Sequence, residues 1–233
     1  MTVAIDTTYD VTTDARGRDP DSCSPTLRSY HKRLWSKKLP SGDIFELRDD
    51  KMPWQYLYHS SRLGDFYLGS DGANPTFAKK PIAKEVPGED LDSFNKLGCT
   101  IGNFMVFPRN QIDGKRTINQ ARGCLKDISD RFDLTVECIR RHYSGQESKL
   151  QATIERYSDF FRLFGDFRGY IDFFLLQDIV TSDYAAIDFF LPFDDFKGSP
   201  IPGSLASYQA YRARAMQFIR ARNERIRQWA DAP

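Results

Sequence analysis

Ten of the eighteen phenylalanines fall between Phe160 and Phe196. That much aromatic surface cannot stay in water, so this stretch must lie in a core that other elements cover. It is also acidic, with nine acids against three arginines from Glu155 to Phe196, a balance of −6. From Tyr208 to Ala230 six arginines stand against Glu224 alone, a balance of +5. Tyr211, Ala215, Phe218, Arg222, Ile226 and Trp229 trace one face of a long final helix there, capped by Ser204 or Ser207. The opposed charges predict that this helix docks on the acidic aromatic region, with an acid to meet Arg222. The rival is an Arg-rich helix that faces RNA, DNA or anionic lipid, or a protein partner in an oligomer.

The remaining elements follow from periodicity. Phe132, Val136, Ile139 and Tyr143 share a face, which predicts a helix from a cap at Asp130. Leu150, Ile154, Tyr157, Phe161 and Phe164 predict another over 149–164, ended by Gly165, and 166–180 is apolar enough for a buried third. Residues 186–193 look like a last strand or extended segment. In the N-terminal half, 43–48, 55–58, 65–69 and 100–107 have strand character, 27–38 reads as a basic amphipathic helix, and 79–92 as a loop. Residues 1–26 are polar and predict a flexible tail. The expectation is one α+β domain over 27–233, with a predominantly helical C-terminal half packed on a small irregular β portion.

Chemistry concentrates near the middle of the chain. Ile112-Asp113-Gly114-Lys115 is a turn signal, and Thr117-Ile118-Asn119-Gln120 matches a capping box, so a short helix should run from Ile118 to about Gly123. A helix start beside cations suits a phosphate or carboxylate. In that reading Lys115, Arg116 and Arg122 neutralise the anion, Asn119 hydrogen-bonds it, and Arg140 or Arg141 closes the site. Asp166 or Asp172, acids on an apolar helix, would be the base if chemistry occurs. The bland alternative makes Arg122 a structural ion-pair partner and Lys115 a solvated turn residue. The segment is not a Walker loop, since Arg109 and Arg116 stand where that pattern needs Gly and Ser or Thr. Asp49 and Lys51 after a strand have the acid-x-Lys spacing of metal-dependent nucleases, a weak signal that a charged loop also explains.

A net charge of +1 points to neither membrane nor nucleic acid, although the last helix keeps nucleic acid open. The four cysteines form no CxxC pair and the three histidines are far apart, so reduced thiols are expected and a His-rich metal site is not. With no apolar leader and no membrane-length apolar run, a cytoplasmic protein is expected. The sequence names no cofactor.

Several long phrases resemble one family: LWSKKLPSGDIFEL from Leu34, FYLGSD from Phe66, TIGNFMVFP, TINQARG, DRFDLTVECIRRHYSG, FFRLFGDFRGYIDFFLLQDIV and RNERI ending at Ile226. They look like a family of uncharacterised bacterial proteins, a domain of unknown function of about this length. The resemblance spans Leu34 to Ile226 and implies one unit, with no catalytic residues to carry over. The leading functional expectation is binding of a phosphate-bearing small molecule or nucleotide at the Lys115–Arg122 corner.

Overall fold

The computed structural model describes residues 5–49, 56–73, 75, 77 and 80–232. Its β portion is one antiparallel sheet in the order β1 (Phe45–Asp49), β2 (Tyr56–Ser60), β3 (Gly64–Gly72) and β4 (Phe104–Pro108). Tyr58 pairs with Leu47 on one side and with Phe66 on the other, and Leu68 pairs with Tyr56 and Pro108. Neighbouring strands thus place Phe45, Tyr56, Tyr58, Phe66 and Leu68 on one buried face. Phe160 stacks on Phe66 at 5.6 Å, and Trp35 packs against Phe45 and Tyr58, so the aromatic run covers the sheet as its composition requires.

The helices are α1 (Val11–Asp14), α2 (Pro20–Cys23), α3 (Pro25–Trp35), α4 (Gly88–Gly98), α5 (Ile118–Cys124), α6 (Phe132–Tyr143), α7 (Gln151–Glu155), α8 (Ser158–Arg162), α9 (Phe167–Phe173) and α10 (Leu205–Asp231). The fold is α+β, with the C-terminal half helical. α10 begins at a capping box on Ser204 and buries Tyr211, Ala215, Phe218, Arg222 and Ile226. Its arginines meet acids of the chain: Arg225 binds Asp178 at 2.8 Å, Arg212 binds Asp90 at 2.9 Å and Arg214 reaches Asp188 at 3.4 Å. Arg222 differs from expectation. It contacts no carboxylate among the described residues. It donates to the carbonyls of Gly102, Phe104 and Phe174 and to the Tyr30 hydroxyl.

Several elements depart from the periodic reading. The predicted 149–164 helix is broken at Tyr157, which leaves helical geometry and donates its hydroxyl to Asn110 O at 2.7 Å. The 166–180 helix stops after Phe173, because Leu175 adopts a left-handed conformation, and a single 3-10 turn follows at Gln177–Ile179. Residues 186–193 form no strand. Only Ile187 bridges to Val180, and the Phe190 N–H goes to the Asp133 carboxylate. The supposed 79–92 loop overlaps the start of α4, whose acids Glu89 and Asp90 in the first turn are a helix-start signal. The predicted 100–107 strand opens as a 3-10 turn at Ile101–Asn103. Asp130 is left-handed and Arg131 precedes α6 instead. Residues 5–26 form α1 and α2 with Val11 and Ala15 fully buried, where a frayed tail was expected. Their polar side chains act locally: Asp10 and Asp19 cap the two helices, and Asp14 accepts from Ser24 and Thr26.

Candidate functional site

The corner is built where β4 ends. Pro108 stops the strand, Arg109 N donates to Tyr67 O at 2.8 Å, and the Asn110 side chain accepts from Tyr67 N at 2.6 Å. The chain then reverses through Asp113 and Gly114, both with positive φ, which Asx and Gly tolerate best. Thr117 caps α5: Gln120 N donates to its hydroxyl at 3.3 Å, and Thr117 N donates back to the Gln120 side chain at 3.0 Å. A cleft of about 500 Å3 opens beside this cap, lined by Tyr67, Arg109, Asn110, Gln111, Thr117 and Gln120. Arg109 and Gln111 have no periodic signature. Their only clue in sequence is their place between a strand end and a turn.

The residues singled out from sequence divide sharply. Lys115 and Arg116 are exposed at the turn, and neither side chain pairs with a carboxylate among the described residues. The Arg116 carbonyl accepts from Arg156 at 2.8 Å, which holds the turn against the C-terminal half. Asn119 is half-buried, its side-chain oxygen has no hydrogen-bond partner, and it does not line the cleft.

Arg122 is fully buried and does not line the cleft. Its N–H groups donate to Thr135, to the carbonyls of Gly72, Ala73 and Asp130, and to the Asp71 carboxylate at 3.3 Å, and the guanidinium forms an ion pair with the Asp130 carboxylate at 3.0 Å. It stitches β3 to the start of α6, so the structural reading replaces the ligand reading for this residue. Burial pushes the Asp130 carboxyl above its ordinary value, against the pull of Arg122.

Arg140 and Arg141 do not close the corner. Both bind the buried Glu137 at 2.7 Å, and Arg141 also binds Asp195. Asp166 caps α9 through Gly169 N at 2.8 Å. Asp172 accepts from Tyr184 and Gln177. Neither acid lines the cleft, so the site holds no candidate base of that kind. Asp49 lies in β1, but its side chain and Lys51 lie outside the described residues.

One buried acid escaped the sequence pattern. Asp21, on α2, accepts from Ser70 N at 2.8 Å and from the Ser70 hydroxyl. Burial raises its carboxyl to about 7, offset in part by the Ser70 hydrogen bonds and the more distant Arg109, while Asp19 raises it further. Among the described residues no three His, Cys, Asp or Glu side chains group as metal ligands do, and no helix is long and apolar enough to cross a membrane.

Residues 5–226 match the sequence profile of a family of unknown function, DUF6994. No curated protein and no solved structure matches the chain.

Proposed function

The chain belongs to this family of unknown function, and from that premise we propose that it binds a phosphate-bearing small molecule or nucleotide in the polar cleft beside α5. The observation that carries the reading is the cleft itself, of about 500 Å3, with Arg109 in its wall and the unpaired Lys115 and Arg116 on the adjoining turn. Its volume lies in the range of small-molecule sites, roughly 300–1,000 Å3. Arg109 offers a planar fork to phosphate oxygens, Lys115 and Arg116 add point charge, and Gln111 adds an amide that can donate. Arg122 serves as scaffold, holding the element that carries Thr117 and Gln120.

The test is a thermal-shift titration with inorganic phosphate, pyrophosphate and nucleoside mono-, di- and triphosphates. A ligand at a hundred times its dissociation constant stabilises by roughly 2.7 kcal/mol, which reads as several degrees. The expected result is a shift with at least one phosphate compound that disappears in Arg109→Ala and in the Lys115→Ala/Arg116→Ala double variant. A shift that survives both variants, or none with any compound, overturns the proposal.

A further inference from the structure

A second cleft, of about 430 Å3, lies on the other side of the molecule's chemistry, between the N-terminal segment, α4 and α10. Its walls are chiefly Leu97, threonine methyls and the aliphatic stems of long cations. The floor is fixed. Asn223, almost fully buried, accepts from Gly102 N at 2.7 Å and donates to the Thr100 hydroxyl at 2.7 Å. Position 102 has no room for a side chain, because a Cβ there would lie 2.6 Å from Ile219 O and 2.7 Å from Asn223 Oδ1. α10 is thereby seated hard against this turn, and the cleft cannot collapse by a small shift of either wall.

Charge at the rim is unbalanced. Glu224 is the cleft's one acid among the described residues, and its oxygens are taken by Arg227 at 2.9 Å and Gln228 at 2.7 Å. That leaves Arg220 without an acid among the described residues, although it stands one turn before Glu224 on α10, where an i,i+4 pair would otherwise form. Four other α10 arginines, at 212, 214, 225 and 227, each hold a carboxylate. Lys96, which lines the same cleft from α4, pairs with no acid among the described residues either. The α4 helix dipole accounts for a cation at Lys96. It does not account for Arg220.

We propose that this cleft binds an amphipathic carboxylate, a medium-chain aliphatic acid whose head group is held between Lys96 and Arg220 and whose chain lies along Leu97 and the threonine methyls. An apolar body answers the wall and a single anion answers the two unpaired cations. A neutral alcohol would meet only the wall, and acetate only the cations.

Isothermal titration with octanoate, 1-octanol and acetate tests this directly. Saturable octanoate binding is expected, with each control weaker by about tenfold or more, the scale of one charge-assisted hydrogen bond or of a few buried methylenes. In Lys96→Gln/Arg220→Gln, octanoate should fall to the level of octanol. Both residues are exposed, so an unchanged melting temperature verifies the fold of the variant. Leu97→Trp, which narrows the cleft while keeping both cations, should also weaken octanoate. Lys115→Ala/Arg116→Ala should leave it unchanged, which separates this site from the phosphate cleft. Absence of saturable octanoate binding, equal affinity for octanol, or full affinity in the Gln double variant each overturns the proposal.

Discussion

Two of the three buried arginines, Arg122 and Arg222, have surroundings that differ in kind. Arg122, on α5, meets two carboxylates that are themselves 38% and 39% exposed, together with three carbonyls and a hydroxyl. Arg222, on α10, meets only neutral acceptors, three carbonyls and the Tyr30 hydroxyl, and its Nε has no partner. Burial accordingly lowers the proton affinity of the Arg222 guanidinium below its ordinary value. The difference teaches what each arginine is for. Arg122 neutralises two acids that the fold brings together, whereas Arg222 is a bolt of directed hydrogen bonds joining α10 to β4, α3 and the aromatic run.

The contrast ranks the consequences of removing each. Arg122→Met leaves Asp71 and Asp130 facing one another without a cation and three carbonyls without a donor, a loss of roughly 3–5 kcal/mol. Arg222→Met leaves three carbonyls unpaired, but it also removes an isolated buried charge. Its net loss should be smaller, about 2 kcal/mol. Urea unfolding of both variants checks the order, and a larger loss for Arg222→Met would break the comparison.

Asp21 extends the comparison to a buried acid whose hydrogen bonds come from Ser70 and whose charged neighbours include Arg109 and Asp19. Its folded pKa of about 7 stands above the ordinary 3.8. A raised carboxyl contributes stability that is fully present below the unfolded value and is lost as pH rises through the folded one. The wild-type protein should therefore lose stability between about pH 4 and pH 7, by up to a few kcal/mol, through this group. Asp21→Asn keeps an acceptor for Ser70 and should flatten the profile over that window in denaturant titrations at several pH values. An equally sloped profile in the variant would assign the pH dependence to another group.

How much of this was legible in the sequence follows from the range of each interaction. The α5 capping box is written within four residues, and the structure contains it as read. The docking of α10 was legible because charge sums over long stretches, and Arg225 and Arg214 do meet Asp178 and Asp188. The structural role of Arg122 was legible only as the alternative to ligand binding, since its partner Asp71 lies on β3, far from α5 in sequence, and no local rule brings them together. For the same reason Arg222 was expected to need an acid: nothing in the α10 stripe announces that the carbonyls of Gly102 and Phe104 converge on it. The 149–164 helix failed for a tertiary reason, as its stripe is buried in two short helices, with Tyr157 turned to reach Asn110. The cleft beside α5 depends on Tyr67 and Arg109, which are distant in sequence and brought together by the β3–β4 pairing.

The smallest expected effect sharpens the opening comparison most. If Arg122 serves to neutralise acids, removing one acid should cost little, because the carboxylate is half in water and the arginine keeps its other acceptors. Asp71→Asn retains an oxygen for the Arg122 N–H at 3.3 Å and leaves Asp130 as counter-charge. Ion pairs with one exposed partner contribute roughly 0–1 kcal/mol, so the loss should stay under about 1 kcal/mol and shrink further in high salt. Removal of Asp71 also removes a negative neighbour that raises the Asp130 carboxyl, so Asp130 should ionise at lower pH in the variant. Denaturant midpoints at low and high salt, with the Asp130 carboxyl titration followed by NMR, decide the point. A salt-insensitive loss comparable to that of Arg122→Met would mean that Asp71 is required as a positioned acceptor, and the two buried arginines would then be the same device.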